Sequence, residues 1–193
     1  MTRPDHPSGT DRVAEVAAGL QCEVIVNVQG DEPEIEPAAI DRVVGLLGEY
    51  ADCPVATLAC PFSKVPQADP ADPAAVKVVT DGRGRALYFT RSQVPYRRTQ
   101  GGAVAAAEPL LHVGIYAYRR EFLIELAAMA PTPLEQTEGL EQLRVLENGH
   151  RIAVGLIDRA CVGIDTPEDY EAFVSRVAAG ESNRESQDVF HGQ

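Results

Sequence analysis

Short apolar runs alternate with stretches of helical period along most of this chain. Val13, Ala14, Ala17 and Leu20 share one side of a helix that Thr10 or Asp11 would cap, and a strand over residues 23–28 follows. Pro37 opens a second helix with Ile40, Val43, Val44 and Leu47 inward. Val55–Cys60 is a strand. Val76–Val79 and Ala86–Thr90 flank Thr80-Asp-Gly-Arg-Gly-Arg, a hairpin signal, and residues 97–108 form a mobile loop. His112–Tyr118 alternates like a strand and runs into a helix near Glu121–Met129. A helix over Pro133–Asn148 follows, with Leu140, Leu143 and Leu146 inward, then a strand from Ile152. Thr166 and Pro167 open a final helix as cap and first residue. Strands alternating with helices around one hairpin predict a three-layer α/β domain with a largely parallel sheet. It should span residues 1–179, with a frayed polar tail over 180–193.

One junction carries chemistry. Val24-Ile25-Val26 ends in Asn27-Val28-Gln29-Gly30-Asp31-Glu32-Pro33, which delivers two carboxylates to a strand's carboxyl end. Ligands bind at that edge of open α/β sheets. Carboxylate oxygens there suit Mg²⁺, which shares its shell with substrate phosphates; the plainer reading is a polar turn. Asp165, in Gly163-Ile-Asp-Thr-Pro, is a second strand-end aspartate before a helix. Its plain role is a favourable charge at a helix N-terminus, worth about 0.3–1 kcal/mol. Two such aspartates would also grip one divalent ion. Ser8-Gly9-Thr10-Asp11-Arg12 is a small-residue turn whose backbone N–H groups suit an anion or a nucleobase edge.

Composition narrows the partners. With 193 residues the chain has room for one core, and its formal net charge of −12 argues against a nucleic-acid surface. No apolar run approaches a membrane span, and the first residues lack the apolar stretch of a signal peptide. Cys22, Cys53, Cys60 and Cys161 lie far apart, fitting neither a zinc site nor a disulfide framework, so a reducing cytoplasm is expected.

Several motifs in order make a resemblance specific: Asp5-His-Pro-Ser-Gly-Thr-Asp-Arg, Val26-Asn-Val-Gln-Gly-Asp-Glu-Pro, Ala75-Val-Lys-Val-Val, Tyr88-Phe-Thr-Arg, His112-Val-Gly-Ile-Tyr-Ala-Tyr-Arg, Leu140-Glu-Gln-Leu-Arg and Gly163-Ile-Asp-Thr-Pro-Glu-Asp. Over residues 2–177 the chain resembles the 3-deoxy-manno-octulosonate (Kdo) cytidylyltransferases, or CMP-Kdo synthetases. The resemblance implies a Rossmann-like nucleotidyltransferase that makes CMP-Kdo and pyrophosphate from CTP and Kdo for lipopolysaccharide, as a cytoplasmic homodimer. It implies Mg²⁺ held by Asp31 and Asp165, the catalytic pair. It also implies a sugar-acid pocket of Gln29, His112, Tyr116, Glu141 and Gln142, and Arg91 on the Kdo carboxylate. Ser8, Gly9, Thr10 and Arg12 would lie beside the nucleotide.

Plainer readings stand beside these. His112 and Tyr116, four apart on a strand, would share a face as packing residues. Glu141 and Gln142 would be solvated helix surface, and Lys77 and Arg91 surface charges. His6, His150 and His191 would occupy loops or surface. The family's opening strand and its Pro-Ala-Arg-x-x-Ser-x-Arg-Leu-Pro-Gly-Lys-Pro-Leu type loop have no counterpart here. The expectation is therefore a chain lacking the first third of the domain, poorly soluble and with little activity alone. Two alternatives follow: a cytidylyltransferase for another sugar acid, or a non-catalytic remnant binding a sugar acid or a partner.

Overall fold

The computed structural model describes residues 2–6, 8–30, 32–96, 107–160, 163–164, 166–168, 170–175 and 177–178. The elements run α1 (Gly9–Ala18), β1 (Val24–Val28), α2 (Pro37–Glu49), β2 (Val55–Pro61), β3 (Lys77–Thr80), β4 (Ala86–Thr90), β5 (Leu110–Arg119), α3 (Arg120–Ala128), α4 (Pro133–Glu138), α5 (Leu143–Glu147) and β6 (Ile152–Leu156). Residues 167, 168 and 170–175 are helical, as the Thr166-Pro167 signal predicts. The loop expected over 97–108 falls on residues outside the described ones from 97 to 106, as does the tail over 180–193.

The six strands form one sheet in the order β4-β3-β5-β2-β6, with β1 also pairing β5. β1 and β3 pair antiparallel with β5, as does β2, while β6 is parallel to β2. β1, β2, β3 and β6 therefore point one way, as a largely parallel sheet requires. β5 runs against them, so β2–β6 is the one parallel ladder among the described strands. Burial patterns carry no strand direction, which is why the sequence does not show this reversal.

Two apolar layers sandwich the sheet. On one face Ala14 and Ala17 of α1, Phe122, Leu123 and Leu126 of α3, and Leu143 of α5 pack on Ile25, Val55 and Tyr116. On the other, Ala39, Val43, Leu46 and Leu47 of α2 pack on Ala56, Leu58, Ile115 and Ala117. β2, covered on both faces, is buried from Val55 to Cys60 and reads as a near-continuous apolar run.

Local differences from the sequence have simple causes. Ser8, not Thr10 or Asp11, caps α1: its Oγ accepts the Asp11 N–H at 3.2 Å, and Thr10 is buried one residue inside. Leu20 and Val44 lie exposed: α1 ends at Ala18, before Leu20, and in α2 it is Leu46 rather than Val44 that is buried. The helix expected over 133–148 is two helices. Gly139 ends α4 in the left-handed region (φ 64°), a conformation that glycine adopts without steric cost. Leu140, Glu141 and Gln142 then turn before α5.

Candidate functional site

The carboxyl end of β1, the N-terminus of α1, the near half of β5 and the α4–α5 turn enclose a cavity of about 620 Å³. Each element contributes chemistry expected from the sequence. β1 supplies Gln29 and Gly30; α1 supplies Gly9, Thr10 and Arg12; β5 supplies His112 and Tyr116. Arg91 enters from the end of β4, and Glu141 and Gln142 from the turn. Ser8 lines a neighbouring cavity with Asp11, Glu141 and Arg144 instead, because its hydroxyl is folded back onto Asp11.

A bulge in β5 shapes the floor. Between Thr57/Leu58 of β2 and Tyr116/Val113 of β5 the register shifts, leaving Gly114 and Ile115 unmatched. The Gly114 carbonyl accepts the Gln29 N–H at 3.3 Å, and its N–H donates to Glu32 Oε1 at 3.3 Å. A Cβ at residue 114 would sit 2.7 Å from Gln29 Oε1, so a larger residue there would push the Gln29 amide out of its place. Above the floor the rings of Phe89, His112, Tyr116 and Tyr118 follow one another with centroids 5.2, 5.3 and 5.8 Å apart.

Burial holds His112 neutral, with its pKa lowered to about 4. The phenol of Tyr116 is raised well above its ordinary value by burial, then by Tyr118 and Glu141; Tyr118 is raised by burial and Glu141. All three groups are neutral hydrogen-bonding partners near neutral pH. Glu141 reaches across to α1, where its Oε2 accepts the Thr10 N–H at 3.3 Å. Two of the first amides of α1, those of Thr10 and Asp11, are thus already satisfied within the chain.

The cation is fixed by backbone. Arg91 Nε donates to the Glu138 carbonyl at 2.8 Å and Nη1 to the Pro73 carbonyl at 3.0 Å. The Glu138 carboxylate in turn accepts Tyr88 O–H, Thr90 O–H and the Arg91 N–H at 3.3, 2.7 and 2.9 Å. Lys77 is not the surface charge its sequence suggests. It is fully buried, and its ammonium donates to the carbonyls of Asp72 (2.9 Å) and Arg91 (2.5 Å). Burial lowers its pKa. His6 is likewise no free loop residue: its Nε2 meets Glu15 Oε2 at 2.5 Å.

The expected Mg²⁺ ligands Asp31 and Asp165 lie outside the described residues. Their described neighbours do converge: Gln29, Glu32 and Gly163 line one further cavity of about 170 Å³, together with His112 and Gly114. Among the described residues no group of three or more His, Cys, Asp or Glu side chains could hold a metal.

Sequence reasoning missed Thr57, Lys77, Glu138 and Tyr118. Thr57 reads as a β-branched strand former, and its buried hydroxyl becomes meaningful only when β5 is laid beside it. Glu138 reads as one more surface carboxylate. Tyr118 stood inside a recognised motif, and its spacing of two from Tyr116 on a strand was the available signal.

A cytidylyltransferase family model matches residues 1–152. The chain is 47% identical over 174 residues to the 3-deoxy-manno-octulosonate cytidylyltransferase of Syntrophotalea carbinolica, covering 88% of this chain and 69% of that protein. It is 49% identical over 180 residues to the protein of the same name from Solibacter usitatus, covering 92% of this chain and 68% of that one. A solved structure of CMP:2-keto-3-deoxy-manno-octonic acid synthetase complexed with CTP superposes with a TM-score of 0.83 at 39% identity, covering 93% of this chain and 72% of that chain.

Proposed function

The chain belongs to the 3-deoxy-manno-octulosonate cytidylyltransferase family, and on that premise we propose that it transfers the cytidylyl group of CTP to Kdo, releasing pyrophosphate. The observation that carries the site assignment is the single cavity into which Gln29, Arg91, His112, Tyr116, Glu141 and Gln142 all open. These residues come from four separate places in the fold, and a shared pocket is what a common ligand would need.

The acceptor is a polyhydroxylated carboxylate, and the lining matches it. Arg91 spends two donors on carbonyls, and its Nη2 has no partner among the described residues, which leaves it to the sugar carboxylate. His112, Tyr116 and Gln142 offer neutral donors and acceptors to hydroxyls. The nucleotide would lie toward Gly9, Thr10 and Arg12. Attack by the anomeric hydroxyl on the α-phosphorus brings two anions together, at a cost of about 4 kcal/mol for unit charges 4 Å apart at an effective dielectric near 20.

Mg²⁺, with Asp31 and Asp165 as ligands, would offset that repulsion and polarise the α-phosphate. Carboxylate oxygens suit that ion, and the segments flanking both aspartates line one cavity. The chain's own part is to orient the acceptor and keep its carboxylate away from the triphosphate. The reading extends to a homodimer in the cytoplasm. Cys22, Cys53 and Cys60 are free thiols, in keeping with a reducing compartment, and light scattering reads the assembly.

Incubation with CTP, Kdo and Mg²⁺ tests the reading, with CMP-Kdo and pyrophosphate as products. The expected result is that turnover, however slow, is abolished by EDTA and is not supported by sialic acid. Preference for sialic acid overturns the acceptor assignment. Kdo binding without CTP binding or turnover, read by calorimetry, would favour a sugar-acid-binding remnant.

A further inference from the structure

We infer that Thr57, which no motif singles out, is a positioning residue that fixes His112 as the Nε2–H tautomer and so turns Nδ1 into a hydrogen-bond acceptor for the sugar acid. The inference rests on the reading of the cavity as the acceptor pocket. Thr57 lies in the middle of β2, with none of its surface exposed. Its Oγ1 makes two short contacts, 2.7 Å to the Ile115 carbonyl oxygen and 3.0 Å to His112 Nε2, and a longer one of 3.4 Å to the Val113 carbonyl oxygen, which competes poorly for the proton. A hydroxyl has one proton to give.

The Ile115 carbonyl can only accept, so the 2.7 Å contact takes that proton. Were the proton directed at His112 instead, two oxygens carrying lone pairs would face each other at 2.7 Å in a buried site. The contact with His112 therefore runs the other way, with Nε2–H donating to Oγ1. Burial keeps the ring uncharged, so a proton on Nε2 leaves Nδ1 with a free lone pair. Nδ1 has no partner among the described residues, while the ring lines the cavity.

The bulge explains why threonine serves here. Ile115 lies in the unmatched part of β5, where a side-chain hydroxyl meets its carbonyl. The Thr57 methyl remains for the packed interior. The order Ile115 carbonyl, Thr57 hydroxyl, His112 imidazole thus carries a backbone feature of the sheet into the pocket. A sugar hydroxyl would then donate to Nδ1.

Nitrogen-15 NMR of histidine-labelled protein reads the tautomer directly, with the His112 signals assigned by their loss in His112→Gln. The expected wild-type pattern is a protonated, pyrrole-type Nε2 and a pyridine-type Nδ1. Thr57→Ser should keep this pattern. Thr57→Val should lose it and raise the KM or Kd for Kdo roughly three- to tenfold, the range of one net hydrogen bond, with CTP affinity unchanged.

A wild-type proton on Nδ1 overturns the inference, and so does a Thr57→Val protein with unchanged tautomer and Kdo affinity. The wild-type measurement needs no variant, so poor folding of Thr57→Val leaves the inference falsifiable. If the wild-type chain shows the stated tautomer and binds no sugar acid, the functional reading fails while the role of Thr57 in setting the ring stands.

Discussion

Glu135→Gln should destabilise the chain by about 3–5 kcal/mol, the usual cost of stranding one member of a buried ion pair. The structure supports the upper part of that range. Arg144 Nε meets Glu135 Oε2 at 2.8 Å and Nη2 meets Oε1 at 2.5 Å, with the two side chains 5% and 9% exposed. The guanidinium's other contacts, from Nη1 to the Leu126 and Met129 carbonyls, are 3.4 Å long and cannot replace a carboxylate. The same carboxylate accepts the Thr132 N–H at 3.0 Å in the capping box of α4, so the substitution also weakens a helix start.

For a domain of this size each kcal/mol moves the melting midpoint by about 2–4 °C, so the expected fall is about 6–20 °C. Urea unfolding followed by circular dichroism gives the free energy, and calorimetry gives the midpoint. The double variant Glu135→Leu, Arg144→Met removes both charges and should recover at least half the loss. The reasoning fails if Glu135→Gln costs under about 1 kcal/mol, or if the double variant loses as much as the two single variants combined.

Three further outcomes follow from the geometry. The folded pKa of His112, about 4, lies below the ordinary 6.5. The unfolded chain therefore binds more protons between those values, and stability falls as pH drops across that window. His112→Gln should flatten this part of a stability-against-pH curve; an unchanged slope refutes the assignment. Lys77→Met strands the Asp72 and Arg91 carbonyls and should lower stability by about 1–3 kcal/mol while raising the KM for Kdo more than that for CTP. Steady-state kinetics with each substrate varied in turn separates the two effects. Gly139→Ala places a Cβ at φ 64° and should cost about 1 kcal/mol or more by urea unfolding, with weaker Kdo binding by calorimetry.

Element types were legible in the chain because their periods differ: β2 is a continuous apolar run, and α2 repeats its apolar face with proline at its start. The break between α4 and α5 was not, since Leu140, Leu143 and Leu146 keep a helical spacing through it. What stops the helix is Gly139, which costs little in a helical pattern until its φ is known. Much of the candidate pocket was legible through ordered motifs, which is how Gln29, His112 and Gln142 could be grouped before any contact was visible. Thr57 and Glu138 were hidden for the opposite reason. Their importance lies in hydrogen bonds to partners 58 and about 50 residues away, and no local pattern encodes those partners.

The three-residue turn after Gly139 is bounded on both sides by parts that the rest of the molecule holds still. Upstream, Glu138 is bolted to the hairpin; downstream, Arg144 is clamped by Glu135. A graft of residues 140–142 between such anchors would reshape one wall of the pocket and, through the contact of Glu141 with the Thr10 N–H, would also touch the start of α1. On the proposed reading of the cavity, one wall of the acceptor pocket is thus open to change by exchanging a tripeptide rather than rebuilding a fold.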